Sequence, residues 1–498
     1  MTTKERSWRS TFRRLVMVAG LPAIAASAAG CDSFLDPKPE DVLSPDNFYK
    51  SSTDAIAAVN GVYEQQKWMH QLAYWYMSDI STDDIGASPN FGSDGHRLSE
   101  WTFDATEWPM GDVWGNAYKI INRSNTVLDR VPAITMDATL KARVLGEARF
   151  LRALAYFDLV RYFGDVPLLE HEVTSLSDVT PPRAPAASVY ALIEADLSQA
   201  ATDLPASYGS GDLGRATSGA ARSLLAKAYL QQHKYTQAAQ AAGQVIASGR
   251  YSLLANWKDV FAISRELTNS ESIFELNYDG TLDPGAGSVA TLFALPAGYP
   301  GGDAYGLMYL TPSAVAMYAP NDKRGLGGTY ITSPYTDKMG RVVTFTLPSQ
   351  NAINKYLDET NTRNMTQRGW AAQDNNWIIL RYADVLLMYA EAVNEGGTAQ
   401  GMTKEAALNL VRQRAGLDPV GALSQGAFRD AVRLERRREF VFEGQRWFDL
   451  ARYGILDAVI RDKQAAIGVN VHGVPGPLFP LPQGELDRNP NLTQNPGY

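Results

Sequence analysis

The sequence predicts an all-α fold: a scaffold of antiparallel helix pairs carrying one long irregular insertion. Three observations predict it. Apolar residues recur at helical spacing in long runs before residue 250 and again after residue 376. One 34-residue unit, residues 215–248, reads as two helices around a tight His233-Lys234 turn. Between these regions the periodicity stops, and Gly and Pro clusters take over, with short alternating segments such as SIFELNY and RVVTFTL.

The chain opens with Lys4, Arg6, Arg9, Arg13 and Arg14 ahead of an apolar run over residues 15–29 that is too short to span a bilayer. The run ends in Ala28-Ala29-Gly30-Cys31, so residues 1–30 read as a lipoprotein signal peptide. Position 28 holds Ala where such sites more often carry Leu. Cys31 is the only cysteine in the chain, which makes it the expected lipid anchor and excludes internal disulfides and cysteine metal clusters. Removing residues 1–30 takes away five basic groups and one acidic group, leaving 41 basic against 53 acidic, net −12. Such a chain presents no basic patch for nucleic acid. Residues 31–50 mix Pro and acidic groups and read as a tether.

From residue 51 to 498 a single domain is expected. Ser51 and Asp54 form a capping-box pattern before a helix whose apolar face carries Ile56, Val59, Val62 and Tyr63. Residues 78–112 read as a long loop. Helical periodicity returns over 113–131 and 141–163, with a further helix over 190–204 after a Pro-rich linker. In the 215–248 unit, Ala226 and Tyr229 face Ala238, Ala239 and Ala242, similar to the tetratricopeptide pattern of close helix pairs. The helical scaffold therefore covers about 51–250 and 377–460, the insertion about 251–376, and a proline-rich, non-helical tail 461–498.

Residues 377–395, WIILRYADVLLMYAEAVNE, read as a core helix with one polar stripe of Arg381, Asp384, Glu391 and Glu395. A buried carboxylate needs a cation, and Arg412, Arg414, Arg436, Arg437 and Arg438 are the candidates nearby in sequence. Further helices are expected over 404–415 and 427–442. Glu435, Glu439 and Glu443 share one helical face, a spacing that could carry glycosidase chemistry. The interleaved arginines favour a scaffold ion-pair network instead.

The chemistry-bearing motifs are otherwise sparse. The five histidines show no metal-ligand spacing, and Gly285-Ala286-Gly287-Ser288-Val289-Ala290 lacks the strand that a nucleotide fingerprint requires, so neither a metal nor a cofactor is expected. The aromatic loop carries the binding signal. Of nine tryptophans beyond residue 30, five (Trp68, Trp75, Trp101, Trp108, Trp114) lie between residues 68 and 114. Flat rings stack on the C–H faces of sugars, while carboxylates, amides and guanidinium groups bond hydroxyls. The expected ligand-binding residues are Trp75, Asp79, Asp83, Asn90, Arg97, Trp101, Trp108, Tyr299 and Tyr305; Trp68 and Trp114 sit on helices and are expected in the core.

The segments CDSFLD from Cys31, Asn122-Arg123-Ser124-Asn125, EARFLRALAYFDLVRYFGDVPLL, LRYADVLLMYAEAVN, LNLVRQRAGL, ERRREFVFEGQRWFDLARYG and LFPLPQGELDRNPNLTQNPGY together resemble the SusD-like (RagB/SusD) family of outer-membrane nutrient-binding lipoproteins. The resemblance implies tetratricopeptide-like helices carrying an irregular, ligand-binding half. It also implies outward-facing capture of a glycan or other oligomeric nutrient, without cleavage, for a SusC-like TonB-dependent transporter. Two rival readings remain: a secreted glycoside hydrolase or lyase using Glu439 or the Asp79–Asp84 cluster, and a scaffold that only docks proteins.

Overall fold

Helices pack in sequence order because each leaves an apolar stripe that its neighbour covers. The computed structural model describes residues 48–175, 179–281, 287–300, 304–366 and 372–498. The signal peptide, Cys31 and most of the tether lie outside the described residues. The main helices are α1 (Ser52–Gln71), α2 (Ser93–Glu100), α3 (Trp108–Arg130), α4 (Ala138–Phe163), α5 (Ala186–Asp203), α6 (Ser218–Gln231) and α7 (Tyr235–Ala247). They continue with α8 (Tyr382–Asn394), α9 (Lys404–Arg414), α10 (Gln425–Phe440), α11 (Arg446–Tyr453) and α12 (Leu456–Ile467). α1 packs on α3, then α3 on α4, α4 on α5, α5 on α6, α6 on α7 and α7 on α8, the stacking of a helical-repeat scaffold. Ser51 and Asp54 form the expected capping box at the start of α1. Ala226, Ala238, Ala239 and Ala242 of the α6–α7 pair are buried, which lets the two backbones approach closely.

Where the helices stop, the strands are short. β1 (Ile85–Ala87) pairs antiparallel with β3 (Met308–Leu310), and β2 (Ser272–Leu276) with β8 (Trp377–Arg381). Two further pairs join β4 (Tyr330–Thr332) to β7 (Asn351–Ile353) and β5 (Tyr335–Thr336) to β6 (Val342–Val343). Gly86 is required in β1, because a Cβ there would meet the Tyr309 ring at 2.4 Å.

Four sequence expectations need correction. Residues 377–395 are not one helix: Trp377–Arg381 pairs with β2, and the chain turns into α8 at Arg381, whose backbone is extended. A run of five mostly apolar residues fits a buried strand as well as a helix, and pairing with SIFEL decided it. The loop over 78–112 contains α2, and α3 starts at Trp108, with Pro109 in its first turn. The tail begins later than 461, since α12 runs to Ile467, and Gln483–Arg488 forms a six-residue helix despite the flanking prolines. Trp68 is not core: it is 48% exposed, whereas Trp114 is buried as expected.

The charges around α8 are buried and paired. Asp384 meets Lys227 at 2.7 Å and Arg436 at 2.8 Å, and Glu391 is clamped by Arg452. Arg381 binds Glu271 at 2.9 Å, Glu439 at 2.6 Å and Glu443 at 2.7 Å. Arg324 reaches Glu435 and Glu439, each at 2.7 Å, and Arg414 also holds Glu439. Burial opposes the charge on Glu439, but Arg414, Arg381 and Arg324 overcome it and hold the carboxyl well below the usual range.

A second buried network occupies the segment after α1. Arg446 grips Asp83 through two bonds of 2.9 Å, and Arg437 bridges Asp83 and Asp84 at 2.7 Å each. Asp79 has no such partner. Burial pushes its carboxyl up to about 8, against hydrogen bonds from the Ser78 hydroxyl and the Gly444 amide. Asp79 and Asp83 are therefore corrected from ligand contacts to interior supports.

Two outcomes test these networks. Glu439→Gln removes the buried charge that Arg324, Arg381 and Arg414 share, so the urea midpoint falls by the equivalent of about 3–5 kcal/mol. Asp79→Asn acts through pH. A carboxyl whose pKa rises on folding takes stability away as pH climbs from its unfolded value of about 3.9 towards about 8. The variant therefore gains on wild type across that window, by at most about 1.4 kcal/mol per pH unit, in denaturation series at stepped pH.

Candidate functional site

The sequence-predicted site residues divide by accessibility. Trp75 is fully buried, donates its indole N–H to the Gln71 carbonyl at 2.8 Å, and packs against Tyr76, Phe293 and Phe442. Trp101 is buried in a left-handed backbone position, stacked on Trp447 at 5.0 Å with its N–H on the Ser81 carbonyl at 2.7 Å. Tyr299 sits in a core cluster with Leu295, Ile331 and Leu357. None of these three rings presents a face to solvent, which corrects the expectation that they stack on a ligand.

The others reach the surface. Asn90 is exposed on the turn after β1. Arg97 is half-exposed and bonds Glu107 at 2.6 Å, at the N-terminal end of α3. Trp108 is 40% exposed and Tyr305 39% exposed. The buried rings support them. Trp108 rests edge-on against Tyr76 at 5.2 Å, Tyr76 against Trp75, Trp75 against Phe293, and Phe293 against Tyr305 at 5.7 Å. One aromatic chain thus runs from one exposed ring to the other. The Trp108 indole N–H also donates to Asp94 at 2.7 Å, which fixes the ring's orientation.

A groove of about 420 Å³ opens between α1 and the start of α3, with Trp68 and Trp108 among its walls. Gln65, Gln71, Asp112, Asn116 and Lys119 supply the polar lining. Several of these are fixed: Gln65 donates to Asn116 at 2.8 Å, and Gln71 donates to the Gly287 carbonyl at 2.7 Å. Burial lifts the Asp112 carboxyl above its ordinary value, opposed by a hydrogen bond from Asn116 and the charge of Lys119. Two accessible indole rings beside pre-set amides, a carboxylate and an ammonium group form a surface for flat, hydroxyl-rich ligands. Tyr305 lies outside this lining, past the short helix Ala290–Ala294 that follows the groove residue Val289. Sequence reasoning missed Trp68, and the signal for it was available. Position 68 lies one residue after the mixed-charge pair Glu64–Lys67, on the wet side of α1 rather than the Val59–Val62 side.

The carboxylates that would serve hydrolysis are not in this groove. Glu439 is fully buried among three arginines, and Asp83 and Asp84 are buried on Arg437 and Arg446. Among the described residues no group of three or more His, Cys, Asp or Glu side chains is placed to hold a metal ion, and no helix is long and apolar enough to cross a membrane.

Known proteins match this architecture over nearly its whole length. A family model described as the SusD family matches residues 342–498, and one described as starch-binding associating with outer membrane matches residues 33–230. SusD-like protein P2 of Formosa agariphila is 29% identical over 94% of this chain and 97% of its own. Starch-binding protein SusD of Bacteroides thetaiotaomicron is 24% identical over 79% of this chain and 78% of its own. Among solved structures, a laminarin binding SusD-like protein superposes with a TM-score of 0.78 at 27% identity, covering 90% of this chain and 100% of that one. Surface glycan-binding protein A from Bacteroides uniformis gives 0.77 at 25% identity, over 89% and 99%. With both ends of the chain matched by models of one group, and relatives aligned along most of it, the chain belongs to the SusD-like family.

Proposed function

We propose that the protein is a non-enzymatic glycan-capture lipoprotein of the outer membrane, anchored through Cys31, which delivers its ligand to a SusC-like TonB-dependent transporter. The observation that carries the reading is the groove in which Trp68 and Trp108 stand exposed beside fixed amides. An indole left half in water loses hydrophobic stabilisation, and Trp108 is held in that position by Asp94 and Tyr76. A sugar ring laid on it recovers that area, while Gln65, Gln71, Asp112 and Lys119 exchange water for hydroxyls. Tyr305, at the other end of the aromatic chain from Trp108, and the exposed Asn90 and Arg97 are candidates for outlying contacts. The names of two relatives support a glucan: one structure is of a laminarin binding protein, and one homologue is a starch-binding protein. Burial of Glu439, Asp83 and Asp84 supports capture without cleavage, since none of these carboxylates can reach a glycosidic bond.

Calorimetric titration of the protein with laminarin and with soluble starch tests the reading. At least one binds, and Trp68→Ala with Trp108→Ala weakens it by about 1 to 3 kcal/mol per ring, or tenfold or more in total. Unchanged affinity in the double variant removes the groove from the site. Chromatography of the glycan after long incubation shows no new reducing ends; their release by the wild-type protein would establish the hydrolase alternative.

A further inference from the structure

Helix α1 has a second lined flank. Gln65, Trp68 and Gln71 face the groove, while Asn60, Tyr63, Glu64 and Lys67 face another opening of about 260 Å³. On the rim of the second opening, next to Trp68, Lys67 pairs with Glu64 at 2.8 Å and forms a ridge on α1. This second opening adjoins a third of about 210 Å³, with Leu213, Gly214, Arg215 and Glu275 lining both. Together they form one trough beside the loop that precedes α6. Gly214 is required there: it stands at φ +88°, and a Cβ would meet Asn277 Nδ2 at 2.2 Å.

The far end of the trough carries the same chemistry as the groove. Tyr208 and Tyr251 are half-buried rings in its wall, held by hydroxyl bonds to the Ala216 carbonyl at 2.9 Å and to Thr217 at 3.2 Å. Leu213 is 38% exposed at its lip, and Arg250 is exposed with no ion pair among the described residues. Asn269 is the telling side chain. Its Oδ1 accepts from the Glu271 and Ser272 amides at 3.0 and 2.6 Å, which fixes the amide plane. Its Nδ2 is buried with no hydrogen-bond partner among the described residues, and Asn269 is one of the residues that line the trough. An oriented donor left unpaired in the wall of a cleft is costly unless a small shift of that wall lets a ligand bond it. Glu64, Asp212 and Glu275 face the trough together with Lys67, Arg215 and Arg250, three charges of each sign, so its lining favours no charged polymer over an uncharged one.

We propose that this trough is a second glycan cleft, which takes a further stretch of the same uncharged polymer after it crosses the ridge of α1. The proposal rests on the glycan reading of the Trp68–Trp108 groove. Tyr208, Tyr251, Arg250 and Asn269 line only the third opening, beyond the α1 residues Asn60, Glu64 and Lys67 of the second, so a polymer laid across α1 from Trp68 reaches them and a trisaccharide held on Trp68 occupies the groove end alone. Joining two weak contacts on one ligand raises affinity through effective concentration.

The test compares laminarin with laminaritriose, and soluble starch with maltotriose, on the wild type and two trough variants. Leu213→Ala with Arg250→Ala alters surface side chains only; Asn269→Asp keeps the Oδ1 acceptor and removes the donor. Each variant is expected to weaken polymer binding about fivefold or more while trisaccharide affinity stays at the wild-type value. Polymer affinity unchanged in both variants overturns the second cleft and leaves the groove reading standing. Trisaccharide affinity falling in step with polymer affinity overturns it too, because the two regions would then act as one short site. If Trp68→Ala with Trp108→Ala changes nothing and the trough variants abolish binding, the groove reading fails and the trough is the only site. Failure of both polymers to bind the wild type overturns both.

Discussion

The irregular half of this protein is held to its helices by one buried knot of charge. Glu439 projects from α10, and the arginines around it come from three places: Arg324 from the insertion, Arg381 from the junction of β8 and α8, and Arg414 from α9. Lys355, also from the insertion, caps the end of α10 by donating to the Glu439 and Val441 carbonyls at 3.0 and 2.6 Å. Ions taken out of water repay their desolvation only when nearly every donor and acceptor is used, and here several guanidinium groups are bonded to two or more carboxylates. An apolar core could join the same elements with equal stability. A charged one also fixes their register, since sliding any element by one residue would leave a buried ion unpaired.

Rigidity then passes outward through rings. The chain Trp108–Tyr76–Trp75–Phe293–Tyr305 has its middle members buried and its two ends in water. Trp75 also packs on Phe442, two residues after α10 ends, so the aromatic chain is rooted beside the charge knot. A binding ring that is already fixed gives up little rotamer freedom when a ligand lands on it. The buried aromatics thus hold still what the exposed ones present.

Much of this was legible in the sequence. Helix pairing, the close α6–α7 pair and the need for cations around Asp384 and Glu391 follow from periodicity and from the cost of burying a carboxylate. Their partners were legible only in part. Arg436 lies within the expected basic block, but Lys227 on α6 and Arg452 on α11 reach Asp384 and Glu391 across the fold, a proximity that spacing along the chain does not encode. The strand at 377–381 was hidden for a related reason: five mostly apolar residues carry no period of their own, and only β2, about a hundred residues upstream, determines their state.

The aromatic concentration located the right region but ranked its members poorly. Composition cannot separate a tryptophan that supports from one that binds, since both types cluster where rings pack on rings. Trp75 and Trp101, expected to bind, each spend the indole N–H on a backbone carbonyl and lie wholly inside. Trp108 instead spends its N–H on Asp94, a side chain at the surface, and leaves a face in water. Trp68 was discounted because it sits on a helix, yet a helix has a wet side, and Glu64 and Lys67 mark it. Helix α1 therefore both closes the core through Val59 and Val62 and displays the lining of two clefts, Trp68 and Gln71 on one flank and Asn60, Glu64 and Lys67 on the other. The scaffold is itself part of the ligand surface, so the division into a helical support and an irregular binding half does not hold at α1.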